Sequence, residues 1–239
     1  VDVLKYYGKG ETTVKAVDGV SLTVDNGEFV SIVGRSGSGK TTLLDVIGLL
    51  MRPTTGTIRI DGEETTRMKD NQRASYRAHK LGFIFQDFNL LDTLSAIENV
   101  MLPVRYSGAD KKEARKRAMQ LLDEVGLADR AQHRPTQMSG GEKQRVSIAR
   151  SLINSPSIVL GDEPTGNLDT DTAQKLVALM RRANREYNVT FVVVTHDMEL
   201  ASRTDRILRI KDGHVVSDER VTAASPVTPE HLAEPVSVA

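Results

Sequence analysis

The segment Gly34-Arg35-Ser36-Gly37-Ser38-Gly39-Lys40-Thr41 constrains this chain more than any other part of it. An apolar run, Phe29 to Val33, enters it, and an apolar helical stretch, Thr41 to Leu50, leaves it. The segment satisfies the pattern G-x-x-x-x-G-K-[ST]. Its glycines let the backbone curl until several N–H groups point inward, where phosphate oxygens can be held. The helix that begins near Lys40 adds its positive N-terminal end. Lys40 can then reach β- and γ-phosphates, and the Thr41 hydroxyl can ligate Mg²⁺. The bare pattern also fits a Gly/Ser turn before an amphipathic helix, but the strand–loop–helix context favours phosphate. Gly34, Ser36, Gly37, Ser38, Gly39, Lys40, Thr41 and Thr42 are therefore candidate contacts for a nucleoside triphosphate.

A second stretch, Ser157-Ile158-Val159-Leu160-Gly161-Asp162-Glu163, is an apolar strand ending in two carboxylates. Phosphoryl transfer needs one group to hold Mg²⁺ and another to orient the attacking water. Asp162, at the strand end, is the candidate for the metal. Glu163 projects beyond it and is the candidate general base. On its own the stretch is equally an ordinary acidic strand-to-loop transition; beside the phosphate loop the chemical reading prevails.

Between and around these segments, short apolar runs alternate with helical patterns. Ser21 to Val24, Glu28 to Val33, Gly56 to Asp61, Leu81 to Phe85, Ser157 to Leu160, Val189 to Val194 and Arg206 to Ile210 read as strands. Thr172 to Tyr187 reads as a helix. Lys111 to Val125 does too, with Ala114, Ala118, Leu121 and Leu122 on its apolar face. Such alternation predicts an α/β domain around a largely parallel sheet. A helical block at about 93–155 interrupts it and predicts a helical subdomain. From about Val221 the chain is rich in Pro, Ala and Val without periodicity, which predicts a mobile tail. Asp45 and the histidines His79, His133, His214 and His231 are expected to be structural or solvated.

Composition narrows the function classes. Lys plus Arg and Asp plus Glu number 32 each, so no net charge steers the chain toward nucleic acid. There are no cysteines, hence no disulfide or thiolate metal site. No run of roughly 18 apolar residues is present to span a bilayer. The opening Val1-Asp2-Val3-Leu4-Lys5 is not a basic lead followed by an apolar run, so the chain is expected to stay where it is made.

Met138-Ser139-Gly140-Gly141-Glu142, ahead of a helical run, resembles the signature loop of the ABC ATPases, usually Leu-Ser-Gly-Gly-Gln. Met138 and Glu142 depart from it; the serine and both glycines do not. A lone Ser-Gly-Gly would be a plain helix cap, but the order of elements is similar to that family over residues 1–218. Gln86 looks like the Q-loop glutamine, Gly166-Asn167-Leu168-Asp169 the D-loop, and His196 the switch histidine. Tyr7 looks like the aromatic that stacks on adenine; Tyr6 competes, and the Tyr-Gly-x-Gly spacing favours Tyr7. The stretches Phe85 to Leu91, Ile97 to Val100 and Asp162 to Asp169 are similar to the macrolide-exporter, lipoprotein-release and cell-division ATPases. Amino-acid-uptake ATPases are the nearest confounder.

The resemblance implies a P-loop NTPase fold with a largely parallel core sheet, an N-terminal antiparallel β-subdomain and an inserted α-helical signature subdomain. It implies an ATPase domain at 1–218, a tail at 219–239, and ATP and Mg²⁺ as cofactors. It implies a site shared by two subunits of a head-to-tail dimer that closes on ATP. One subunit would supply Tyr7, the phosphate loop, Gln86, Asp162, Glu163 and His196, with Thr41, Gln86 and Asp162 on the metal. The other would supply Ser139, Gly140 and Gly141. Catalysis would fall to Glu163, His196, Gln86 and Lys40. An integral membrane permease is the implied partner and the inner face of the cell membrane the implied place. A soluble ABC ATPase acting on nucleic acid or ribosomes is the alternative, disfavoured by the short Lys40-to-Ser139 spacing and the neutral charge. Within the region Phe88 to Val104, Leu90 and Leu91 are the expected exposed contacts for the permease.

Overall fold

The computed structural model describes residues 1–8, 10–107 and 110–221. The chain opens with an antiparallel pair, β1 (Val3–Tyr7) and β2 (Val14–Val20). Strand β3 (Phe29–Val33) then leads through the glycine-rich loop into α1 (Lys40–Ile47). A short hairpin follows, β4 (Arg59–Ile60) and β5 (Glu63–Glu64), then α2 (Asp70–Lys80) and β6 (Leu81–Ile84). Four helices come next: α3 (Ala96–Val100), α4 (Val104–Ser107), α5 (Lys111–Glu124) and α6 (Gly140–Leu152). The remainder alternates: β7 (Ile158–Asp162), α7 (Thr170–Tyr187), β8 (Thr190–Thr195), α8 (Met198–Ser202), β9 (Arg206–Lys211) and β10 (His214–Arg220).

The central sheet has six strands in the order β10-β9-β3-β8-β7-β6. All its pairs are parallel except β9 with the edge strand β10. Every residue of β3 and β8 is buried, as continuous Val/Ile-rich runs require when helices cover both faces. One hydrophobic cluster joins Phe29, Val159 and Phe191 of the sheet to Val146 and Ile148 of α6 and Ala118 and Leu121 of α5. The helical block at 93–155 thus shares its core with the sheet. On α5 the four residues assigned to the apolar face, Ala114, Ala118, Leu121 and Leu122, are the buried ones.

Several elements differ from the sequence reading. Ser21 to Val24 is not a strand: among the described residues none pairs with it, although Leu22 and Val24 pack partly against the core. Gly56 to Asp61 contributes only Arg59–Ile60, which turns back through Asp61 and Gly62, both at positive φ. Helix α2 carries no apolar stripe, and its one buried residue is Arg73. Strand β10 carries an alternating but largely exposed face at the sheet edge, and it extends two residues past the expected boundary at 218. Residues 222–239, which hold His231 and most of the expected tail, lie outside the described residues.

Candidate nucleotide site

Four neighbouring parallel strands end at one edge of the sheet, and each hands over directly to a candidate residue. Strand β3 gives the glycine-rich loop, β6 gives Gln86, β7 gives Asp162 and Glu163, and β8 gives His196. These loops line one cleft of about 1010 Å³. Thr13 to Ala16 and the turn Asp212-Gly213 close its other side. That pair of walls escaped the sequence reading, although Asp-Gly is a recognisable turn signal between two strands.

The glycine-rich loop is pressed against its surroundings. Gly39 has φ 98°, and a Cβ there would lie 1.9 Å from the Ala16 carbonyl oxygen. A Cβ on Gly34 would lie 2.2 Å from the Ile210 carbonyl oxygen. The loop is braced from behind: the Gly213 N–H donates to the Ser38 carbonyl (3.1 Å), and the Gly213 carbonyl accepts from the Asp18 N–H (2.9 Å). No side chain caps α1, so the N–H groups of its first turn are left as donors at Lys40, Thr41 and Thr42, all of which line the cleft. Lys40 is buried, and its Nζ donates to the Arg35 carbonyl at 2.8 Å, within the loop it would serve.

Across the cleft, Thr41 Oγ1 donates to Asp162 Oδ1 at 3.4 Å. Burial pushes the Asp162 carboxyl above the usual aspartate range; the neighbouring Glu163 charge adds to this, and half-buried Asp45 contributes. A hydroxyl, an amide oxygen on Gln86 and a carboxylate that gains from a nearby cation make a hard-oxygen donor set, which fits Mg²⁺. Glu163 sits at φ 44°, with its N–H bonded to Val194 O at 2.9 Å. Its carboxylate meets His196 twice: Oε1 lies 2.9 Å from the ring Nδ1, and Oε2 accepts the backbone N–H at 3.3 Å. Gln86 donates through Nε2 to Asn167 Oδ1 (3.4 Å), and Asn167 Nδ2 donates back to Gln86 O (3.1 Å) and Asp87 Oδ1 (3.0 Å).

The remaining candidates stand outside the cleft lining. Ser139 caps α6: its Oγ accepts the Glu142 N–H at 3.3 Å, while the Glu142 carboxylate accepts from the Ser139 N–H and hydroxyl at 2.8 and 2.9 Å. Gly140 and Gly141 pack beside the 167–172 segment, and a Cβ on Gly141 would lie 2.5 Å from Thr172 Cγ2. Tyr7 is exposed, with its hydroxyl against Met51 Sδ at 2.8 Å. Tyr6 is tied inward instead, its hydroxyl donating to Asp18 Oδ1 at 2.5 Å. Among the other histidines, His133 Nε2 faces Arg130 and His214 faces Asp18, as structural groups do.

The family model for "ABC transporter" matches residues 17–166 of this chain.

The chain belongs to the ABC transporter family.

It is 51% identical over 220 residues to an ABC transporter ATP-binding protein of Thermotoga maritima, covering 92% of this chain and 94% of the relative. It is 48% identical over 218 residues to the lipoprotein-releasing system ATP-binding protein LolD of Geobacter metallireducens, covering 91% and 97%. Against the macrolide export ATP-binding/permease protein MacB of Chlorobaculum tepidum it is 49% identical over 220 residues, 92% of this chain but only 34% of MacB. Among solved structures it resembles the ATP-binding cassette MJ0796, a dimer in a post-hydrolysis state bound to ADP and Pi. The TM-score there is 0.84 and the identity 43%, over 93% of this chain and 97% of that one. As an ABC family ATPase, the chain has the expected fold: a mostly parallel sheet, antiparallel N-terminal strands and a helical block around the signature serine.

Proposed function

We propose that this ABC ATPase drives a membrane permease of the export or lipoprotein-release kind, by closing and opening a head-to-tail dimer around two ATP molecules. The observation that carries the reading is the convergence of the glycine-rich loop, Gln86, Asp162, Glu163 and His196 on one cleft. In that reading the α1 N–H groups and Lys40 hold the β- and γ-phosphates. Tyr7, exposed at the end of β1, stacks on the adenine. Thr41, Asp162 and Gln86 hold Mg²⁺, which when bound neutralises charge building on the phosphate oxygens. Glu163 orients the attacking water and accepts its proton. His196 fixes the Glu163 carboxylate and points its exposed ring toward the γ-phosphate. Ser139, Gly140 and Gly141, away from their own chain's cleft, complete the site of the second subunit.

The same reading puts the chain on the cytoplasmic face of the membrane. Among the described residues no helix is long and apolar enough to cross a membrane. Leu91 is exposed and available for contact with the permease, whereas Leu90 packs partly against the core and is withdrawn from it. The deciding experiment is Lys40→Ala. Turnover should vanish and ATP affinity should fall by about 10- to 100-fold, the scale of one lost charge-assisted hydrogen bond. Unchanged turnover would refute the nucleotide site.

A further inference from the structure

Gln86 is presented by a turn whose backbone is strained. Phe88 has φ 62° and Asn89 has φ 48°, two successive non-glycine residues in the left-handed region. An aromatic residue is rarely found there, and such strain persists only where the surroundings hold it. Here the holder is Arg150, on α6. Its guanidinium donates to the Phe88 carbonyl at 2.8 Å, to the Asn89 carbonyl, and to Ser147 Oγ at 3.2 Å.

Arg150 is an expensive residue to keep in that place. It is only 9% exposed, and burial brings it down to about 10, so it remains a cation at neutral pH. Among the described residues no carboxylate pairs with it; a hydroxyl and the two carbonyls of the strained turn are its partners. A buried charge without a counter-ion is a poor way to stabilise a core, which an apolar side chain would do better. Its bonds go to the carbonyls of the two successive left-handed residues of this turn.

The turn is also tied at its start and along its side. Gln144, on the same helix, donates through Nε2 to Phe85 O (3.2 Å) and to Pro164 O (2.6 Å), linking the two loops that flank the cleft. The Phe88 ring reaches the signature loop: Cζ would lie 3.7 Å from a Cβ on Gly140. Helix α6 thus carries Ser139 at one end and grips the Gln86 turn from within.

We propose that Arg150 is a positioning residue for ATP hydrolysis, latching the Phe88–Asn89 turn in its left-handed form so that Gln86 stands correctly at the cleft. The proposal rests on the role given to Gln86 above. The latch acts on Gln86 and lies away from the glycine-rich loop, so its loss falls on turnover more than on nucleotide affinity.

The test uses the purified full chain with ATP and Mg²⁺, reading kcat, KM, nucleotide affinity and thermal unfolding. Arg150→Met should lower kcat by about tenfold or more, the scale of a misplaced catalytic group, with KM within about twofold. Arg150→Lys, a point charge that cannot bridge two carbonyls, should fall between. Adding Asn89→Gly to Arg150→Met should restore most of the lost kcat, because glycine adopts positive φ without cost. A merely structural defect would not be repaired by that glycine. An unchanged kcat, a loss seen in KM instead, or a failed rescue by Asn89→Gly would overturn the proposal. If Arg150→Met does not fold, Arg150→Lys with and without Asn89→Gly decides by the same outcomes. Residual turnover in Lys40→Ala would count against the nucleotide site and not against the latch.

Discussion

Glu163 and His196 engage each other by two contacts, ring Nδ1 to Oε1 at 2.9 Å and backbone N–H to Oε2 at 3.3 Å. The carboxylate is thereby fixed at the end of β7 from the end of β8, the adjacent strand. Held in this way it has one orientation in which to receive a proton.

Glu163→Gln should therefore abolish turnover while sparing ATP binding. The amide preserves shape but cannot take a proton, so the loss in kcat should reach about 10²- to 10⁴-fold. With ATP the variant should elute as a dimer in size-exclusion chromatography. Normal hydrolysis would remove Glu163 from the base role.

The two adjacent tyrosines should separate cleanly. Tyr7→Ala should weaken nucleotide binding by about 1–3 kcal/mol, the scale of one aromatic–base stack. Tyr6→Ala should leave affinity nearly intact and lower the unfolding temperature, since the Tyr6 hydroxyl is bonded to Asp18. A displacement titration with a fluorescent ATP analogue reads the first effect and a thermal melt the second. Reversed effects would shift the assignment by one residue.

Asp162 yields a prediction with a pH sign. Burial and the Glu163 charge raise its carboxyl above the usual range, so the folded chain holds this proton more tightly than the unfolded one. The nucleotide-free protein should thus lose stability as pH rises through the window between the ordinary aspartate value and the raised one. Asp162→Asn should raise the unfolding temperature at neutral pH by about 2 °C, a small value because the group is only half-buried. The same variant should lose Mg²⁺-dependent turnover. A lowered melting temperature would show that the carboxylate is instead a stabilising partner.

Gly141→Ala is a packing test of the signature loop. The added methyl would meet Thr172 Cγ2 at 2.5 Å, on the first turn of α7. Stability should fall by about 1–3 kcal/mol, the range for overpacking, and Thr172→Ser should recover part of it. Denaturant melts of the two single variants and the double variant give the coupling.

Much of this was legible in the sequence because strand ends and chemistry coincide. Lys40, Gln86, Asp162, Glu163 and His196 each follow an apolar run that became a parallel strand, so position along the chain foretold position at the cleft. What was not legible had no apolar period to reveal it. Helix α2 is polar almost throughout, and β10 is an exposed edge strand. Asp212-Gly213 lines the cleft from far along the chain, which the parallel pairing of β9 with β3 brings about. Arg150 reads as one more basic residue on a helix; its bonds to Phe88 and Asn89 depend on a backbone conformation that no residue type there demands.

The brace behind the glycine-rich loop has a consequence for the order of events in the cell. Gly213 bonds Ser38, and Ile210 abuts Gly34, yet both are among the last residues of the sheet to leave the ribosome. A nascent chain that has emerged only as far as β8 carries the whole glycine-rich loop and lacks the backing that shapes it. The shape of the loop thus depends on the finished sheet, and a chain cut before β9 would lack the carbonyl and N–H groups that hold it.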